Sequence, residues 1–324
     1  MKAIVNTAPG RLEMQELPLA EPGPAQVRIR TAACGICATD LQMIAGWKRT
    51  GFPAVPGHEW AGTLHALGAG VDRSLIGKKC VAENVLSDGG EVGFEHPGGY
   101  AEYLITEADK VHLLPDDFEL ATAALIEPLA VAVRGRRKLP CNLAGPVLLF
   151  GDGPIGLAML MLLTAEPMRR VAVVGGRDGR LRLACEFGAA ATLNYHAAGG
   201  DLAAAVSENL GRDFPIVIEA SGSASAAAAC LQLAAKCGRV LLLGDYADAH
   251  AHFRWNDVLL REIDLIGSDA SAGAWPEAVQ LAIGGRVPLD RLISHRLPAE
   301  KFAKGVELAR SRRDDVLKVL LLWQ

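Results

Sequence analysis

The stretch "FGDGPIG" (150–156) constrains this 324-residue chain more than any other. Gly151, Gly153 and Gly156 stand in G-x-G-x-x-G spacing. Such a loop carries weight only where it follows a strand and opens a helix. Here the apolar run "PVLLFG" precedes it, and "PIGLAMLMLLTAE", opened by Pro154 and Ile155, reads as the helix that follows. The alternation continues. "RVAVVGG" and "ATLNY" read as strands, separated by the helix "RDGRLRLACEFGA". "DLAAAVSENLG" reads as a helix begun by Asp and closed by Gly, and "PIVIEASG" and "GRVLLLGD" as strands around an alanine-rich helix over 224–238. Near-continuous Val, Ile and Leu strands in β-α-β order predict a doubly wound parallel sheet with both faces covered. In that setting the first Gly makes the tight turn, the second admits a pyrophosphate, and the third packs helix on strand.

The second strand bears on which dinucleotide fits. An acidic side chain at its end accepts hydrogen bonds from the ribose of NAD. This chain has Gly175 and Gly176 there, followed by Arg177, with Arg180 and Arg182 nearby. A small residue beside cations leaves room and charge for a 2′-phosphate, so the expected cofactor is NADP(H) rather than NAD(H). Asp178 reads as the start of the next helix.

The flanking regions differ in character. Residues 1–125 hold short β-like runs ("AQVRIRTAA", "WAGTLHALG", "KKCVAEN", "YAEYLIT") between turn signals, which predicts a compact β-rich domain. Residues 269–324 carry two helical patterns and a closing strand, "VLKVLLL". A formal net charge of −4 leaves no basic excess for nucleic acid or an anionic membrane as main partner. The longest apolar stretch, 146–167, is interrupted at 151–154 and is too short to span a bilayer. No secretory signal is evident, so a soluble, cytoplasmic protein is expected. Seven scattered cysteines do not form a disulfide framework.

Cys34 and Cys37 form a C-x-x-C. Taken alone, this is half a zinc knuckle, a redox dithiol or two packed thiols. Further along stand His58 with Glu59, and Glu127 beside Pro128. One Cys, one His and one carboxylate, with a fourth position open, make the composition of a catalytic zinc site. The spacings are too long for a zinc finger, so such ligands must converge through the fold.

"CGICATDL", "PGHEWAGTL", "GGYAEY", "ALIEPLAVAV", "GDGPIGL", "EASGS" and "REIDLIGSDA" follow one another in order over essentially the whole chain. In these motifs the sequence resembles the zinc-dependent medium-chain dehydrogenase/reductase family, closest to its sorbitol/polyol and threonine dehydrogenase branch. The resemblance implies an α/β protein with a GroES-like catalytic domain (1–126 and 269–324) and a Rossmann domain (127–268). It implies zinc held by Cys37, His58 and Glu127, with Glu59 exchanging on and off the metal or holding a bound water, and Cys34 a bystander. Reversible hydride transfer between NADP(H) and a secondary alcohol or ketone would follow, the substrate being a polyol, sugar or cyclitol. Thr39 would pass the alcohol proton outward, Asp40 would orient the site, and Lys318 would reach the pyrophosphate or lie on the surface. A homodimer or homotetramer is implied, paired through "GRVLLLGD" and "REIDLIG".

Two departures modify the expectation. Residues 82–103, where most members carry a four-cysteine lobe, contain no cysteine, so one catalytic zinc and no structural zinc is expected. Gln42 stands where a histidine often ends the proton relay, and glutamine takes no proton at neutral pH. A zinc-free NADPH-dependent quinone or enone reductase is the alternative on the same fold, and the Cys37, His58 and Glu127 set argues against it. A non-catalytic NADPH-binding protein is a third reading, which turnover separates.

Overall fold

The computed structural model of the protein describes residues 1–140, 145–166, 170–311, 313 and 316–323. The chain divides into two compact units, Met1–Ala130 with Ala272–Gln324, and Val131–Ser271. The first stretch of the chain forms β1 (Lys2–Ala8), β2 (Arg11–Glu16), β3 (Gln26–Ile36), α1 (Ala38–Ala45), β4 (Glu59–Leu67), β5 (Lys79–Ala82), β6 (Tyr103–Glu107), β7 (Val111–Leu113), α2 (Leu120–Ala123) and α3 (Ile126–Arg137). There follow β8 (Val147–Phe150), α4 (Pro154–Thr164), β9 (Val171–Gly175), α5 (Asp178–Glu186), β10 (Ala191–Asn194), α6 (Tyr195–Ala198), α7 (Leu202–Leu210), β11 (Phe214–Glu219), α8 (Ala224–Leu233), β12 (Ala234–Leu242), α9 (Trp255–Leu259) and β13 (Asp264–Gly267). The chain ends with α10 (Trp275–Ile283), β14 (Ile293–Pro298), α11 (Phe302–Ser311) and β15 (Lys318–Leu322).

In the first unit one sheet runs β14-β15-β3-β4-β5-β7, with β6 also paired to β3. β3 is its spine. It lies antiparallel to β4 with Gly35 opposite Glu59, and antiparallel to β15 with Ile36 opposite Val319. Val27, Ile29, Cys34 and Ile36 of β3 join Trp60, Leu64, Tyr100, Val319 and Leu321 in one apolar core. Each such fully buried side chain stabilises the fold by about 1.5–3 kcal/mol. β2 and β14, which sequence reading passed over, are half-exposed, and most of their residues are polar. They lack the apolar run that marks a strand.

In the second unit six parallel strands run β10-β9-β8-β11-β12-β13. Val147–Phe150 and Ile216–Ile218 are almost completely buried, as central strands covered on both faces must be. The strand order reverses between β8 and β11, and ligands of such sheets bind at the carboxyl ends of the strands at that switch point. One boundary differs from expectation. The helix predicted over 224–238 stops at Leu233, and Ala234 already pairs with Phe214 as part of β12. Cys237 has φ 59, a left-handed value that no helix continues through, and its N–H donates to Arg261 O. Bonds to other segments override the helix propensity of "LAAK".

Candidate active site

The first unit gathers polar side chains where β3, α1 and β4 meet. Cys37 is the N-cap of α1, and its N–H donates to Asp40 Oδ2 at 2.8 Å. Cys37 Sγ, a ring nitrogen of His58 and a carboxylate oxygen of Glu59 lie within 4.8 Å of one another. Asp40 is completely buried. Its Oδ1 stands 3.1 Å from His58 Nδ1 and accepts the Gly57 N–H at 3.3 Å. One carboxylate thus fixes the backbone at two donors and the ring of one, leaving Nε2 of His58 for the cluster. Burial works against a charged His58, but the Asp40 charge and hydrogen bond, with Cys37, outweigh it and raise its pKa well above the usual range.

Phe94 stacks on the His58 ring with centroids 4.8 Å apart. Arg49 lies over Phe94 at 4.7 Å and pairs with Glu91 and Glu95 at 2.7 Å each. In the segment without cysteines, then, a cation and two carboxylates hold an aromatic ring against a candidate metal ligand. His96, in the same segment, pairs with Asp88.

Lys318 lies neither on the surface nor free. Its Nζ donates to Glu59 Oε1 at 2.6 Å and Oε2 at 2.7 Å, and both side chains are buried. β3 runs between β4 and β15, so this bridge must cross it. A Cβ on Gly35 would stand 2.1 Å from Glu59 Oε2, and only glycine leaves the crossing open. Burial pulls the Lys318 pKa down, but Glu59, Cys37 and Glu127 outweigh it and hold the amine charged. A lysine inside the apolar strand "VLKVLLL" was the available signal, and the sequence does not show its partner.

Glu127, in the first turn of α3, is not among the three clustered donors. Its carboxyl is pushed up to about 7 by burial and by Glu59, against His58 and Lys318. Thr39 Oγ1 lies 3.7 Å from Cys37 Sγ and is half-buried. Cys34 is packed into the core, where a Cβ on either Gly57 or Gly99 would press on its sulfur. Burial, then Asp40 and Glu59, push its thiol well up. Trp60 and Trp275 are core residues, and Trp47 meets Phe94 edge-on.

In the second unit, Gly153 caps α4, and Pro154 and Ile155 form its first turn. Gly151 has φ +117, which suits glycine alone. A Cβ on Gly156 would lie 2.1 Å from Gly151 O, whereas one on Gly153 would meet nothing within 4 Å. The loop is tight where it packs and open at the helix start, which fits a pyrophosphate. At the end of β9, Gly176 packs under the Tyr195 ring, Arg177 donates to Gly176 O, and Arg182 is exposed on α5.

Comparison with known proteins bears on both units. Residues 23–116 match the alcohol dehydrogenase GroES-like domain, and residues 154–283 match the zinc-binding dehydrogenase domain. D-altritol 5-dehydrogenase of Agrobacterium fabrum is 30% identical over 93% of this chain and 94% of its own. A Sinorhizobium meliloti protein assigned as a zinc-binding dehydrogenase, solved with NADP, superposes with TM-score 0.91 at 25% identity over 99% of both chains. An Escherichia coli alcohol dehydrogenase solved with NADH gives the same TM-score and identity over 100% of this chain and 99% of that one. The chain belongs to the zinc-dependent medium-chain dehydrogenase/reductase family.

Proposed function

We propose that this protein is a zinc-dependent dehydrogenase that transfers a hydride reversibly between a nicotinamide cofactor and a secondary alcohol or its ketone. Family membership already makes it an oxidoreductase acting on alcohols. The observation that carries the zinc reading is the convergence of Cys37, His58 and Glu59 behind a buried Asp40. Likeness to D-altritol 5-dehydrogenase supports a polyol, sugar or cyclitol as substrate.

The donor set suits zinc: a sulfur, an imidazole nitrogen and carboxylate oxygen in a largely buried cluster. Cys37 and His58 would hold the ion, with oxygens of Glu59 and Glu127 as the remaining donors. Bound zinc supplies the positive charge that acidifies a hydroxyl and polarises a carbonyl. The rest is done by the chain. Asp40 orients the His58 ring through Nδ1 and Phe94 packs its face. Lys318 donates to both Glu59 oxygens and draws the carboxylate across β3, so Glu59 acts as a tethered donor. Thr39 stands two residues past Cys37, placed to take the hydroxyl proton outward. Gln42 cannot accept it at neutral pH, so the relay ends in water or another group.

Gly151, Gly153, Pro154, Ile155 and Gly156 would seat the dinucleotide's pyrophosphate. The sequence-based preference for NADP(H) rests on Gly176, Arg177 and Arg182, and a carboxylate beside them bears against it. Association through the edge strand β13 belongs to the same proposal. Leu265 of that strand is exposed, as are Trp255, Leu259 and Leu260 just before it. An open parallel edge beside exposed apolar side chains suits a two-fold dimer. A small-molecule substrate and a cytoplasmic location complete the reading. The exposed free thiols Cys185 and Cys237 suit a reducing compartment, and no described helix is long and apolar enough to cross a membrane.

Plasma mass spectrometry of metal-replete protein, with a screen of polyols, tests this. About one zinc per chain with polyol turnover is the expected result. No zinc in active protein would sink the metal reading and promote the zinc-free reductase. Two per chain would show that segment 82–103 hides a second site.

A further inference from the structure

The end of β9 offers no acidic side chain of its own, yet a carboxylate stands there. A Cβ built on Gly175 would lie 2.7 Å from both Cβ and Oδ2 of Asp152. Asp152 comes from the loop after β8, between the first two glycines of the dinucleotide motif. Its side chain fills the volume that an acidic side chain at position 175 would enter. Oδ2 accepts the N–H groups of Gly176 and Arg177, each at 2.9 Å. Oδ1 faces Arg180 Nη1 at 3.7 Å, beyond hydrogen-bond length. The side chains of Asp152 and Arg180 are each only 13% exposed.

Three consequences follow. The carboxylate is fixed in place by two backbone donors. Those N–H groups, which could otherwise serve a 2′-phosphate, are already occupied. Arg180, one of the cations counted toward that phosphate, faces Asp152 as a counter-charge instead. Oδ1 keeps lone-pair capacity for a hydroxyl. A neutral ribose diol can donate to it, whereas a phosphate dianion beside it is repelled.

We propose that Asp152 supplies from the loop the ribose-binding carboxylate that β9 lacks, and sets the cofactor preference to NAD(H) over NADP(H). This reverses the expectation drawn from Gly175, Gly176 and Arg177, and it rests on the nicotinamide-cofactor reading above. Asp178, exposed in the first turn of α5, is instead held by Asn194, whose Nδ2 donates to its Oδ1 at 2.6 Å.

The test is direct binding, with no turnover needed. NADH and NADPH are titrated separately into the full-length protein, followed by nicotinamide fluorescence. The wild type is expected to hold NADH at least about tenfold more tightly. Asp152→Asn removes the charge and keeps an acceptor, and should move the ratio about tenfold toward NADPH. Asp152→Gly should lose the NADH preference, and Asp152→Gly with Gly175→Asp should regain it by returning the carboxylate to β9. Glycine is used at 152 because even the Asp152 Cβ crowds a side chain at 175. A merely structural Asp152 gives no such rescue. Tighter NADPH binding by the wild type, or a ratio unmoved in Asp152→Asn, overturns the proposal. Binding of neither nucleotide to the wild type is a distinct outcome. It overturns the nicotinamide reading, and this proposal with it.

Discussion

The two candidate sites meet one demand, placing charge against a ligand, by opposite means. At the switch point of the parallel sheet the work falls on backbone. A run of six residues after β8 makes the turn, and its glycines matter for the side chains they lack. At the junction of β3, α1 and β4 the work falls on ionisable side chains drawn from distant parts of the chain. Cys37, Asp40, His58, Glu59 and Lys318 are each paired or buried. The difference lies in what a substitution leaves behind. A backbone site fails by crowding, which is local. A buried ionic site fails by stranding a charge, and that destabilises the surrounding fold.

Removal of a donor should give the largest effect. Cys37→Ala is expected to abolish stoichiometric zinc and to cut turnover beyond the roughly 10–100-fold typical of losing an outer hydrogen-bond partner. Metal analysis with steady-state rates checks this, and retained zinc would remove Cys37 from the ligand set. Next comes the bridge. Lys318→Met strands Glu59 and should cost the first unit about 3–5 kcal/mol, most of it recovered in Lys318→Met with Glu59→Leu. Calorimetry reads both, and an unchanged melting profile in the single variant would show the bridge to be dispensable.

The backbone site should behave otherwise. Gly156→Ala forces a methyl against Gly151 O and is expected to cost about 1–3 kcal/mol, to weaken dinucleotide binding and to leave zinc content at the wild-type level. Loss of zinc in that variant would break the contrast between the sites. The smallest effect concerns His112, half-buried and stacked on Trp275, whose pKa burial lowers. The folded protein therefore binds the His112 proton less tightly than the unfolded chain does. The contribution of this histidine is complete above the ordinary histidine value of about 6.5 and is lost as pH falls below it. His112→Phe should flatten that part of the stability-versus-pH curve, and an unchanged slope would dismiss it.

The same contrast decides what could be read from sequence. A site built from contiguous residues leaves a string of letters, and "FGDGPIG" with its flanking strand and helix announced both the loop and the sheet around it. The converged site left scattered letters. Cys37 and His58 could be picked out by type, and Glu59 and Glu127 could be named as carboxylates near the metal, but not which of the two joins the three-donor cluster, which holds Glu59. Burial on both faces explains why β8, β9 and β11 were legible, and the polar run Ser294–Arg296 in β14, a strand exposed at every second position, why it was not. Two misses share one cause. Lys318 and Asp152 act on Glu59 and on the end of β9 across neighbouring strands, and strand order is not written in local sequence.

The empty place at Gly35 also has a consequence for biosynthesis. The bridge it permits joins residues 259 positions apart, with the whole second unit made in between. While the chain emerges, β3 and β4 can pair, but β15 does not yet exist to close the edge of β3 or to supply the amine. Glu59 must spend that interval in water or on another cation. Assembly of this site is therefore among the last events in the making of the protein, although most of its residues are among the first synthesised.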